Sequence, residues 1–89
     1  MTLREVVNQV YDLSVDGYFN RIKFTKQEFS LYVWRMMRTT NKLIFEIALP
    51  DGWWYMSINR WNDNSKQYDY YIPDTKEDSE KLYQELVIR

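Results

Sequence analysis

One stretch of sequence decides the fold: Lys42-Leu43-Ile44-Phe45-Glu46-Ile47-Ala48-Leu49-Pro50-Asp51-Gly52-Trp53-Trp54-Tyr55-Met56-Ser57-Ile58-Asn59-Arg60-Trp61. Its two halves are rich in β-branched and aromatic residues, and Pro50-Asp51-Gly52 between them is a turn signal, so the stretch predicts a β-hairpin. A polar gap over residues 62–67 leads to Tyr68-Asp69-Tyr70-Tyr71-Ile72, a third candidate strand. Residues 42–72 therefore predict a three-stranded antiparallel meander.

Side chains alternate between the two faces of a strand, so the meander divides into two surfaces. The more apolar surface is predicted to face the core and contains Leu43, Phe45, Ile47, Leu49, Trp54, Met56 and Ile58. The other surface combines aromatic and polar groups: Trp53, Tyr55, Trp61 and Tyr71, with Arg60 expected close by. A minimal core does not require these aromatics, which makes their surface a candidate binding face.

Two helices are predicted before the meander. Thr2 with Glu5 forms a capping box that begins a helix over about 3–15, which Gly17 is placed to end. A second capping box at Thr25 begins a helix over 26–38, where apolar residues recur at i, i+3, i+4, i+7 and i+8. A strand is the competing interpretation of 26–38, but its alternation fails at Arg35. Residues 18–24 predict a loop with strand character.

A last helix is predicted after Pro73, with Asp74 or Thr75 as its cap and acidic residues in its first turn, and it extends to about Val87. We therefore expect a single compact domain over residues 1–89. Its class is α+β: two N-terminal helices, a three-stranded antiparallel β-meander and a C-terminal helix, with the helices packed on one sheet face.

The composition argues against an enzyme. The chain contains no histidine and no cysteine, so the commonest general base, the commonest metal ligand and the thiol nucleophile are all missing. Only two glycines are present, each at a cap or turn, which excludes a glycine-rich phosphate loop. We expect no catalytic residues, no metal and no cofactor; a third hypothesis is an enzyme that uses carboxylates alone, with Asp63, Asp69 and Asp74 as its candidates. The lack of cysteine and of long apolar runs predicts a cytoplasmic protein that does not enter membranes.

The aromatic face has three interpretations. It is buried within the monomer under the last helix, it binds a protein partner or a second copy of the chain, or it stacks single-stranded bases. The leading hypothesis is a small non-enzymatic cytosolic interaction protein, a regulator or inhibitor of the kind that viral and mobile-element genomes encode. On this hypothesis a larger host macromolecule, in the first place a protein, contacts Trp53, Tyr55, Arg60, Trp61 and Tyr71.

The alternative hypothesis is a nucleic-acid-binding module. Residues 20–42 contain six basic residues and one acidic residue, a net charge of +5, whereas residues 62–85 contain three basic and seven acidic residues, a net charge of −4. Lys26, Trp34, Arg35 and Arg38 are the candidate contacts to phosphates and bases. The competing interpretation is that these charges form the solvated side of an amphipathic helix. Whether the charge is also segregated in space depends on the fold.

Overall fold

The computed structural model describes residues 1–87, and the predicted hairpin lies at the centre of its sheet. Strand β3 (Lys42–Leu49) pairs antiparallel with β4 (Gly52–Arg60), with Phe45 opposite Met56 and Ile47 opposite Trp54. β4 in turn pairs antiparallel with β5 (Tyr68–Tyr71), with Ile58 opposite Tyr70. The predicted α+β class is confirmed, and the predicted meander forms three strands of a larger sheet.

Two short strands extend the meander to a five-stranded sheet of order β2-β1-β3-β4-β5. They are β1 (Tyr18–Phe19) and β2 (Ile22–Lys23), which lie in the segment predicted as a loop with strand character. Asn20 and Arg21 between them have φ values of 51° and 65°, the left-handed conformation that a two-residue hairpin turn requires. The Asn20 amide N–H donates to the Glu46 carbonyl and its side-chain oxygen accepts from the Glu46 N–H, which attaches the hairpin to β3.

Both N-terminal helices begin where the capping boxes predict. Helix α1 (Leu3–Leu13) begins after Thr2 and α2 (Lys26–Met36) after Thr25, so the helical interpretation of 26–38 is confirmed. Each helix ends two residues earlier than predicted. Gly17 does have a positive φ of 74°, but it lies in the turn that leads to β1, and α1 is closed at Ser14.

The helices lie on both faces of the sheet, so the predicted packing on one face is wrong. α1 and α2 cover the face predicted as the core, where Leu43, Phe45, Ile47, Trp54, Met56 and Ile58 are all buried. Phe19 and Phe29 stack at its centre, with their ring centroids 3.9 Å apart. Helix α3 (Lys76–Val87) lies against the other face, where the Lys42 Nζ is 2.9 Å from the Glu85 carboxylate.

The β5 edge of the sheet is occupied by hydrogen bonds from its own chain. The Tyr68 N–H donates to the Met1 carbonyl over 2.8 Å, and the Tyr70 N–H donates to the Asp69 carboxylate over 2.8 Å. Such capping of outward N–H groups discourages edge-to-edge pairing with another sheet. The Met1 contact also holds the first turn of α1 beside β5. No helix within residues 1–87 is long and apolar enough to cross a membrane.

Candidate binding surfaces

Trp53 and Tyr55 of the predicted aromatic face both have partners within the protein. The Arg21 guanidinium lies 4.6 Å from the centroid of the Trp53 ring, and it also pairs with Glu46 at 3.3 Å. The Tyr55 ring packs against Tyr83 of α3 with 5.0 Å between centroids. Both aromatics are half-buried, but only Tyr55 packs against the last helix, whereas the Trp53 ring lies under Arg21 of the β1–β2 turn.

Helix α3 also completes the hydrogen bonding of β4 where β5 ends. The hydroxyl of Ser79, a residue only 1% exposed, accepts the Tyr55 N–H over 2.8 Å. The Lys76 ammonium donates to the Trp53 carbonyl. Burial raises the pKa of the Tyr55 hydroxyl, and the Glu46 carboxylate adds to the increase. Helix α3 is therefore hydrogen-bonded to the backbone of β4 at Trp53 and Tyr55.

Trp61 and Tyr71 remain open. Trp61, directly after β4, is 61% exposed, and Tyr71, opposite Ser57 in the sheet, is 45% exposed. The structure thus divides the four predicted aromatics into a covered pair and an exposed pair. The partner-binding role of all four stays a prediction.

The sequence interpretation expected Arg60 to lie close to Trp53 and Tyr55. In the structure it does not. Strand alternation places it on the same face as Trp54, Met56 and Ile58. Its Nη1 is 3.0 Å from the Asp63 carboxylate, which raises the pKa of Arg60, and its Nη2 donates to the Met37 carbonyl at the end of α2. The guanidinium carbon lies 5.5 Å from the centroid of Tyr68. Arg60 therefore joins β4, β5 and α2 on the α1–α2 side of the molecule.

A cleft of about 560 Å³ opens next to Arg60. The last turns of α2 contribute Trp34, the turn that follows α2 contributes Arg38, and the first turn of α1 contributes Arg4. Lys66 and Tyr68 line the third side. The cleft thus collects four basic and two aromatic side chains, and no acidic residue among residues 1–87 lines it.

A second hollow of about 600 Å³ continues from this cleft between α1 and α2. It shares Arg4 and Trp34 with the cleft and adds Lys26 and Leu31 of α2 and Asn8 of α1. We call the two together the Trp34 groove. Lys26, Trp34 and Arg38 of the predicted nucleic-acid contacts line it; Arg35 is exposed on α2 but does not line either part.

The charges of the groove are largely uncompensated. Within residues 1–87, Arg4, Arg38 and Lys66 form no ion pair, and the Lys26 ammonium approaches Asp12 only to 3.9 Å between exposed side chains. The acids of the C-terminal third include Glu77, Glu80 and Glu85 of α3, on the opposite face of the sheet. The segregation of charge along the chain corresponds only in part to a segregation in space, because Arg21 and Lys42 of the basic segment pair with acids on the α3 face, whereas Lys66 of the acidic third lines the groove.

Sequence reasoning missed Arg4, Lys66 and Tyr68 as groove residues. Arg4 precedes the basic segment 20–42, and Lys66 lies within the acidic third of the chain, so neither stands out in a count of local charge. Their proximity depends on the hydrogen bond between Met1 and Tyr68, whose residues are far apart in sequence. The exposed Trp34 was the one available signal, because a helix rarely needs tryptophan on its solvated side.

In the part of the chain that the structure describes, no group of three or more acidic side chains lies close enough to hold a metal ion. Comparisons with protein-family models, with curated proteins and with solved structures gave no match to this chain.

Proposed function

We propose that this protein acts by binding a larger, negatively charged macromolecule, without catalysis, and that the Trp34 groove is the contact surface. The observation that carries the proposal is the collection of uncompensated cations around a half-exposed tryptophan. Trp34 is 52% exposed, and Arg4, Arg38 and Lys66 reach the same cleft from three separate segments. Tryptophan and arginine are the side chains most enriched where binding energy concentrates.

The net charge of the chain by itself argues against binding of polyanions, so the proposal depends on the groove alone. At −1 the protein as a whole does not attract anions, so affinity for a polyanion has to come from a local surface. Leu31, 51% exposed, extends the apolar part of the groove beyond Trp34. The groove therefore offers apolar area together with positive charge.

Retention on immobilised heparin tests the proposal. We expect the double variant Arg4→Gln/Arg38→Gln to elute at lower salt than the natural protein, because two groove cations are lost. Lys23→Gln/Lys81→Gln is the matched control: it has the same net charge, and its lysines lie on β2 and α3, outside the groove. Equal losses for both double variants, or no retention of the natural protein at low salt, would contradict the proposal.

A protein partner at the remaining open aromatics is the second candidate function. Trp61 and Tyr71 are the members of the predicted aromatic face that have large exposed fractions. On this candidate, Trp61→Ala or Tyr71→Ala abolishes the biological effect of the protein in its host and leaves heparin retention unchanged. A host phenotype that depends on Arg4 and Arg38 and not on these aromatics would remove it.

A further inference from the structure

We infer that the occupant of the Trp34 groove is single-stranded nucleic acid, whose bases stack on Trp34 and whose phosphates contact Arg4, Arg38 and Lys66. The inference rests on the proposed function, since it assumes that the groove binds a polyanion, and adds the class of polyanion. It follows from the shape of the groove, its aromatic platform and the arrangement of its charges.

The position of Trp34 favours a ligand with planar, unstacked rings. Trp34 lines both parts of the groove, so a chain that occupies both parts passes beside it. Bases of a single strand present free faces to such a ring, and stacking on it tolerates any base. In duplex DNA the bases already stack on each other, and an acidic peptide has carboxylates but no flat aromatic surface in every residue.

The positions of the cations favour a repeating backbone charge. Arg4 lies at the junction of the two hollows, Arg38 and Lys66 line one of them, and Lys26 lines the other. Positive charge therefore follows the groove on both sides of the tryptophan. A strand that stacks one or two bases on Trp34 places phosphates towards both ends, as single-strand-binding grooves do.

Arg60 has a different role from the other cations. Asp63 compensates its charge at 3.0 Å, and its second amino group is engaged by the Met37 carbonyl. It therefore holds the floor of the groove by joining α2 to β4, and we do not count it as a phosphate contact. Three to four cations remain, which implies that log K falls with log salt with a slope of about −2 to −3.

The experiment is fluorescence anisotropy with a labelled oligothymidylate of about 12 nucleotides, within the range that single-strand-binding folds cover. Trp34→Ala is expected to weaken binding about 5- to 150-fold, the loss typical of one stacking platform. Trp61→Ala is the matched control, because Trp61 is even more exposed but does not line the groove. Circular dichroism confirms that each variant is folded before its affinity is compared.

Cation variants supply an independent measurement. Arg38→Gln is expected to reduce the salt slope by about 0.7, the contribution of one phosphate contact on a single strand. Lys23→Gln, on β2, removes the same charge elsewhere and is expected to leave the slope unchanged.

The outcomes separate this inference from the proposed function. The inference is overturned if a polyglutamate peptide or a duplex of equal length binds as tightly as the single strand. If heparin retention still depends on the groove, the proposed function stands. If the natural protein binds no polyanion at all, both the inference and the proposed function are overturned. Sedimentation would instead assign the groove to the acidic α3 of a second copy if the natural protein forms salt-sensitive dimers and the Arg38→Gln variant is monomeric.

Discussion

Gly17→Ala gives a sharp test of how α1 joins the sheet. Gly17 has a φ of 74°, and a Cβ there would lie 2.6 Å from the Tyr11 hydroxyl and 2.7 Å from the Phe24 carbonyl oxygen. The same two oxygens are joined by a hydrogen bond of 2.8 Å, and the Phe24 N–H donates to the Gly17 carbonyl. Any side chain at this position must separate these groups.

Three contributions determine the expected loss of stability. A left-handed backbone costs an alanine about 1–2 kcal/mol, the lost hydrogen bond about 0.5–1.5 kcal/mol, and relief of the close contacts about 1–3 kcal/mol. The free energy of unfolding should therefore fall by about 2.5–6.5 kcal/mol. Gly52→Ala is the control, because Gly52 also has a positive φ, of 126°, but a Cβ there would meet no atom of residues 1–87 within 4 Å, apart from its chain neighbours. Its cost should be backbone strain alone, about 1–3 kcal/mol.

Urea denaturation followed by tryptophan fluorescence measures both variants, with Tyr11→Phe and the double variant Tyr11→Phe/Gly17→Ala completing a double-mutant cycle. Phenylalanine at position 11 removes the oxygen nearest to the new Cβ. The double variant should therefore lose about 0.5–3 kcal/mol less free energy of unfolding than the two single variants lose in sum. Equal losses for Gly17→Ala and Gly52→Ala, together with additivity in the cycle, would refute the close-approach argument. If Gly17→Ala does not fold, folding of the double variant supplies the same answer.

Three further predictions concern α3 and the second helix cap. Ser79→Ala should lower the free energy of unfolding by about 1–3 kcal/mol and accelerate amide exchange at Tyr55, because a buried N–H loses its acceptor; unchanged exchange would contradict the docking of α3. Tyr83→Ala should shift the pKa of Tyr55 back towards its ordinary value of 10.0, since burial and the Glu46 carboxylate raise that pKa and electrostatic repulsion from the adjacent Tyr83 raises it further. The raised pKa implies stability that is present below pH 10.0 and lost as pH rises through the pKa of the folded state, which NMR titration of the tyrosine rings detects. Hydrogen bonds from Thr25 lower the pKa of Glu28 below its ordinary value of 4.5. The contribution of Glu28 to the free energy of unfolding is therefore present above pH 4.5 and is lost as the pH falls through the lowered pKa of the folded state. Glu28→Gln should accordingly be less stable than the natural protein at neutral pH, with the difference shrinking in acid; a constant difference in urea midpoints would contradict this sign.

Local sequence patterns predicted most of the regular structure. Each capping box needs only residues three apart, so Thr2 and Thr25 identify the first residues of α1 and α2 without knowledge of the rest of the fold. Strand alternation similarly identified the buried face of β3 and β4. These predictions succeeded because the interactions that decide them lie within one turn of helix or one strand.

The β1–β2 hairpin shows where local patterns are insufficient. Two-residue strands carry almost no periodicity, and Asn20-Arg21 is an uncommon pair for a left-handed turn. The hairpin is held by Asn20 against Glu46 and by Phe19 opposite Ile47. Its existence therefore depends on β3 being in place.

Arg60 shows the same division within the candidate sites. Strand alternation along β4 can be read from the sequence, and it places Arg60 on the core face. The residues that Arg60 contacts on that face could not be predicted. Asp63 is close in sequence, whereas Met37 and Tyr68 reach it through the packing of α2 and β5. The groove that results contains residues from α1, from α2 and the turn after it, and from the segment between Arg60 and Tyr68.

The sequence alone determined the class of the fold, the starts of α1 and α2, the central hairpin and the absence of histidine and cysteine chemistry, because these depend on composition or on neighbours a few residues apart. The tertiary structure alone decided that Tyr83 of α3 packs on Tyr55 and Arg21 on Trp53, and that Arg4, Trp34, Arg38 and Lys66 surround one groove. The physical reason is that the contacts responsible, Met1 with Tyr68 and Lys42 with Glu85, join residues too distant in sequence for any local pattern to encode.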